Sequence, residues 1–110
     1  MTEQERGLAA QVRRMADLID YQEGSVVSRQ VMKGDGGNVT LFAFDRGEGL
    51  TEHTSPFDAL VYVLDGESEV TVSGVASRLR EGDMILMPAN APHDLKTPSR
   101  FKMLLVMIKS

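Results

Sequence analysis

The sequence predicts an all-β fold, a sandwich or barrel, with a short helical segment in front of it. Three observations carry that prediction. Helical spacing of apolar residues is confined to Thr2–Ile19. After Gly24, short β-branched and apolar runs alternate with Gly, Asp and Pro at intervals of about ten residues, the rhythm of strands and turns. The last run, Phe101–Ile108, is apolar at nearly every position, as in a strand covered on both faces. With 110 residues the chain is expected to form a single domain, residues 1–110. A prefix occupies 1–23 and the barrel 24–110.

In chain order, Leu8, Val12, Met15 and Ile19 fall on one helical stripe. Thr2 and Glu5 have the spacing of a capping box. Gly7 weakens this helix by about 1 kcal/mol relative to Ala. Val26–Met32 reads as a strand, residues 33–37 as a turn, and Asn38–Phe44 as the next strand. Asp58–Leu64 is a further strand, and the Asp65-Gly66 pair that closes it is a strong hairpin signal. Glu67–Val72, Val75–Arg80 and Met84–Met87 follow, separated by Ser73-Gly74 and by Glu81-Gly82-Asp83. Phe101–Ile108 closes the series.

Composition excludes several chemistries. The chain has no Cys, which removes disulfides, thiolate metal sites and a Cys nucleophile. It has only two His, so a three-His metal site cannot come from one chain. The net charge is −4 with both signs interspersed, which argues against nucleic-acid binding. The longest uninterrupted apolar run, Met103–Ile108, is far too short to cross a membrane. Glu3, Glu5 and Arg6 have no apolar stretch behind them, unlike a secretory signal, and a cytoplasmic location is the default expectation.

Two segments carry specific spacing. Residues 47–66 read GEGLTEHTSPFDALVYVLDG and residues 82–97 read GDMILMPANAPHDLKT. Together they resemble the two motifs of the cupin superfamily, small RmlC-like jelly-roll barrels of the double-stranded β-helix type. Gly47, His53 and Gly66 stand at positions of the first motif, and Gly82, Pro88 and His93 at positions of the second. The resemblance covers roughly residues 38–108 and implies the barrel fold.

It also implies a site. In metal-binding cupins the two His and the Glu of the first motif, with the His of the second, converge on one ion. Here His53 and His93 hold the first and last of these positions, whereas Ser55 replaces the second His and Ala59 replaces the Glu. A ligand pocket around His53, Ser55, Ala59 and His93 is therefore expected. If it held a divalent transition metal (Fe, Mn, Ni or Zn), His53 and His93 would be its ligands, with Asp58 or Glu52 as a carboxylate. Strand alternation turns Asp58 away from the face of Ala59 unless a bulge at Pro56-Phe57 re-aims it, and Glu52 has the same difficulty beside His53. Asn90 stands where the family prefers Gly, at a position suited to a left-handed backbone.

Three functions follow from these residues. The first is a barrel that binds a small molecule over a depleted metal site. The second is a small enzyme: a metal-assisted oxygenase or isomerase using His53, His93 and a carboxylate, or a metal-free acid–base catalyst using His53 or His93. The third is a non-catalytic oligomerisation module. A homodimer is expected through the apolar outer faces of Met84–Met87 and Phe101–Ile108. Phe57, Met84 and Met87 read as core residues that also suit an apolar pocket lining. Lys96 and Lys102 read as solvated, with an anionic ligand as the alternative.

Overall fold

The computed structural model describes residues 1–109. Nine strands form two antiparallel sheets: β1 (Val26–Gly34), β2 (Gly37–Phe44), β3 (Gly49–His53), β4 (Phe57–Asp65), β5 (Glu67–Val72), β6 (Val75–Arg80), β7 (Met84–Met87), β8 (His93–Lys96) and β9 (Phe101–Lys109). One sheet has the order β1-β2-β9-β4-β7 and the other β3-β8-β5-β6. Their inner faces enclose a core built on Phe44, Val61, Val63, Val70, Phe101 and Met103. This is the jelly-roll barrel that the motifs imply.

Turn chemistry explains most of the connections. Val72 pairs with Val75 across a two-residue loop whose residues, Ser73 and Gly74, have φ of 49° and 82°. Both central residues of a tight, primed hairpin turn need positive φ. The Asp65-Gly66 pair behaves differently from the hairpin expected of it. β4 pairs with β7 and β9, and β5 with β6 and β8, so residue 66 is a corner where the chain leaves one sheet for the other. One residue between two strands is too few to close a hairpin. Gly66 has φ of 78°, and a Cβ there would lie 1.8 Å from the Arg100 carbonyl oxygen. Only glycine fits where the corner presses against the start of β9.

The prefix departs from one continuous helix. α1 spans Glu3–Leu8, with the Thr2–Glu5 capping box formed as expected. Ala9 is then extended and Ala10 takes φ of 58°, which ends the helix. Val12, expected on the buried stripe, is fully exposed. A 3₁₀ turn at Met15–Leu18 follows. Tertiary anchors override the helical period here. Glu5 accepts the Lys33 amide of edge strand β1, while Met15, Leu18, Ile19 and Tyr21 pack over Leu41, Ala43, Leu64 and Leu104. Arg29 donates to the Leu18 carbonyl and Lys102 to that of Ala16. Tyr21 donates to Asp65 Oδ2 at 2.5 Å, beneath the cations of Arg100 and Lys102. Burial first, then the Asp65 hydrogen bond, pushes the Tyr21 hydroxyl upward from 10.0.

Two carboxylates tie this scaffold together and set its acid response. Amide donation from Thr2, then from Lys33, holds the Glu5 carboxyl below its ordinary value of 4.5. The Gly24 amide, then the Arg100 guanidinium, holds Asp45 below its ordinary 3.8. Both groups bind protons more readily in the unfolded chain. Their contribution is therefore complete above these ordinary values and is lost as pH falls through the lower folded ones. Chemical denaturation at stepped pH should show stability falling across that interval, and Glu5→Gln or Asp45→Asn should each flatten the fall.

Candidate functional site

The site lies where β3 meets β8. Leu50 pairs with Leu95, and His53 pairs with His93, so three steps along β3 match two along β8. That extra residue is a β-bulge at Thr51-Glu52, and it re-aims His53 onto the face of Leu50. Two residues 40 apart in sequence thus become cross-strand partners. Their rings meet edge-on, with centroids 4.3 Å apart and planes at 64°. His53 is exposed and His93 half-buried.

Hydrogen bonding fixes which nitrogens are available. His53 Nδ1 lies 2.7 Å from the Thr51 carbonyl, and His93 Nδ1 lies 3.0 Å from that of Ala91. A carbonyl only accepts, so each Nδ1 carries a proton and donates it. In the neutral rings, both Nε2 atoms are left as lone-pair donors, the arrangement that backbone carbonyls impose on ligating imidazoles.

Behind His93 lies a cavity of about 40 Å³. Ser55, Ala59, Val61, Met87, Met103 and Met107 contribute to its walls, as does Leu50, whereas His53 lies outside the lining and reaches it only through its contact with His93. Ser55 Oγ accepts from the Phe57 amide at 3.2 Å, and the Ser55 carbonyl accepts from the Asn90 amide at 2.7 Å. Asn90 takes φ of 68°, the left-handed backbone that lets this loop close behind His93. Asp94 also borders the cavity, but alternation along β8 turns its side chain to the face opposite His93 and Leu95, where its Oδ1 is buried with no hydrogen-bond partner among the described residues.

The remaining residues singled out in the sequence lie elsewhere. β4 keeps regular register with β9 from Phe57 to Val63, so no bulge re-aims Asp58. Asp58 is exposed, and its Oδ1 accepts from the Ala89 amide at 2.8 Å, which fastens the Pro88 loop. Glu52 sits on the bulge and is exposed. Met84 is exposed on the outer face, whereas Met87 lines the cavity. Lys96 is exposed opposite Glu69, and Lys102 is engaged by the prefix.

The divalent metal of the resemblance does not fit these side chains. Among the described residues no group of three or more His, Cys, Asp or Glu is placed to hold an ion. At the carboxylate position Ala59 presents only a methyl group, buried between Met87 and Met107 as its cross-strand neighbours. Two imidazoles alone fall short of the three or four protein ligands that Zn or Fe sites carry.

Met103 and Met107 line the cavity without belonging to either motif, and Asp94 borders it through its backbone. Asp94 is signalled only by following His93. The two methionines are signalled by inward alternation along β9, once its neighbours are known.

Comparison with known proteins agrees with the architecture. The family model described as a cupin domain matches residues 40–109. An uncharacterised protein of Aquifex aeolicus is 26% identical over 99 residues, spanning 88% of this chain and 82% of its own. The crystal structure of a conserved protein of unknown function from Streptococcus pyogenes superposes with a TM-score of 0.87 at 34% identity, covering 92% of this chain and 89% of that one. A cupin superfamily protein from Desulfitobacterium hafniense gives a TM-score of 0.87 at 29% identity, over 92% and 93% of the two chains. Among the described residues, no helix is long and apolar enough to cross a membrane.

Proposed function

This chain belongs to the cupin family, and from that premise we propose that it is a ligand-binding barrel whose inherited metal site has been depleted. The observation that carries the reading is the His53–His93 pair, with both Nε2 lone pairs unengaged beside an apolar cavity. A His93 acceptor at the wall of an apolar recess, with His53 against it, suits a ligand with a donor at one end, such as a hydroxyl or ammonium group. The cavity is much smaller than the roughly 300 Å³ of drug-sized sites, so only a slim group enters while the ligand body lies against exposed His53.

A panel of small hydroxylated and amine-bearing metabolites tests this by thermal melting. At a hundredfold excess over Kd, a bound member stabilises the fold by about 2.7 kcal/mol, which raises Tm by roughly 10 °C. The His53→Ala/His93→Ala variant should lose that shift. No response from any member of the panel would overturn the reading.

A second observation favours self-association. Met32, Val39, Val106, Leu60 and Leu86 form one cross-strand row over all five strands of the larger sheet. The row is uncharged, and its ends are open, with Met32 53% and Leu86 63% exposed. The prefix covers only the neighbouring rows, at Leu41, Ala43 and Leu104. Val106 on β9 is the middle of the row. A twofold axis along β9 would lay Met32 over Leu86 of a second copy and Val39 over Leu60, a self-complementary contact. Light scattering at micromolar concentration should give a dimer for the wild type and a monomer for Leu86→Lys. A wild-type monomer would sink the idea.

A further inference from the structure

We propose that the turn at residues 88–91 is a flap over the cavity, latched shut by Asp58, and that its opening admits the ligand. The inference rests on the reading of the barrel as a ligand site and names how access to that site is controlled.

The cavity poses the question, because at about 40 Å³ its closed form holds little more than one slim group. Its walls differ in what opening them would disrupt. Val61 and Met103 are buried members of the inter-sheet core, so no entry runs between them. At the other end, Met87 closes β7, His93 opens β8, and Ser55 stands in the loop between β3 and β4. Residues 88–92 join Met87 to His93. The wall between these three side chains is therefore made of two facing loops.

The first loop is a compact unit. The Ala91 amide donates to the Pro88 carbonyl at 3.2 Å, and Asn90, third in the turn, takes the positive φ of 68° that such a turn requires. Pro88 and Pro92 stiffen its ends. The Pro92 carbonyl accepts from the Ser73 amide at 2.8 Å, which fixes the trailing end to the β5–β6 turn. Among the described residues, two hydrogen bonds clasp the unit to the facing loop. The Ala89 amide donates to Asp58 Oδ1 at 2.8 Å, and the Asn90 amide to the Ser55 carbonyl at 2.7 Å. Pro88 and Asn90 are exposed, and Ala89 and Ala91 bring only methyl groups, so the two bonds dominate closure. Each is worth roughly a two- to tenfold bias, and together they favour the closed form by roughly ten- to a hundredfold. A ligand that binds the open form overcomes a bias of that size. Asp58 is the removable half of the clasp, since Ser55 contributes a backbone carbonyl and Asp58 a side chain on an exposed face.

Hydrogen exchange followed by NMR and carbethoxylation of histidine test the flap without any ligand. Diethyl pyrocarbonate attacks the unprotonated imidazole nitrogen, which is Nε2 in both rings. His53, exposed and outside the cavity lining, is the internal control. Asp58→Ala should speed exchange of the Asn90 amide roughly fivefold or more and His93 modification by a similar factor. His53 modification and exchange at Val61 and Met103 should stay unchanged. Asp58→Asn keeps a carbonyl acceptor and should behave as the wild type. Unchanged exchange at Asn90 or unchanged His93 reactivity in Asp58→Ala overturns the proposal. So does an acceleration shared with the core amides, which marks general loosening of the barrel. Ligand binding separates this inference from the reading beneath it. If hydroxylated or amine-bearing metabolites bind with the same association rate to wild type and Asp58→Ala, control of access falls and the ligand site stands. If none of them binds either protein, the ligand reading falls, and with it the flap's role in admitting a ligand.

Discussion

Replacing Phe101 with Ala should lower the free energy of unfolding by roughly 3–5 kcal/mol, the usual cost of emptying a buried aromatic site. Phe101 is 0% exposed and opens β9, the central strand of the larger sheet. It pairs across the strands with Phe44, their rings 5.9 Å apart and tilted by 39°, and Phe42 stacks on Phe44 in turn. The site cannot collapse to fill the gap. Its backbone is wedged against the Gly66 corner, where a Cβ would lie only 3.1 Å from the Phe101 Cα. A domain of this size holds about 5–15 kcal/mol in total, so the variant gives up a large share of it. Urea denaturation should show a lower midpoint with an unchanged m-value. Val75→Ala, on the exposed β5–β6 turn, should stay within about 0.5 kcal/mol of the wild type. Comparable losses from the two variants would show that the inter-sheet core does not dominate stability.

Phe101 also marks how far the sequence can be read. β5, β6 and β7 match their expected bounds to the residue, because Gly66, Ser73-Gly74 and Gly82 punctuate them with residues that accept positive φ. β3 and β8 were not legible. β3 runs Gly49–His53 with a bulge in it, so its inward residues, Leu50 and His53, are three apart and break the period of two. β8 has only four residues and starts just after Pro92. The prefix departs from its sequence pattern for the opposite reason. Its helical spacing is real, but contacts with β1 and with the outer sheet face pull the chain out of register after Leu8.

The same limit governs the site. Motif spacing places His53 and His93 on ligand positions, and it shows that Ser55 and Ala59 have emptied the other two. What spacing cannot show is pairing. That Ala59 lies between Met87 and Met107 follows from β4 running between β7 and β9, an order with no local trace in the chain. Nor does the sequence reveal that Asp58 serves the Ala89 amide rather than the barrel.

Ser55→His/Ala59→Glu should turn the cavity into a divalent metal centre. Both positions already line it together with His93, and His53, outside that lining, meets His93 edge-on. The substitution adds an imidazole and a carboxylate, raising the set from two protein ligands to the four of the family pattern. Without metal the change is costly. A carboxylate at position 59, where Ala59 is 7% exposed and sits between two methionines, loses its water without gaining a partner. That should destabilise the metal-free barrel by on the order of 3 kcal/mol and favour the protonated acid. Zn(II) or Mn(II) reverses the penalty by neutralising the charge. An ion bound at about micromolar Kd and supplied at a hundredfold excess returns about 2.7 kcal/mol. The expected signature is a lower Tm than wild type in chelator and a steep recovery on adding metal, with one equivalent bound by elemental analysis. The wild type should show neither. If the folded double variant binds no divalent ion, the four positions do not converge on one point, and restoring the family's ligand types is not enough to make this barrel a metal site.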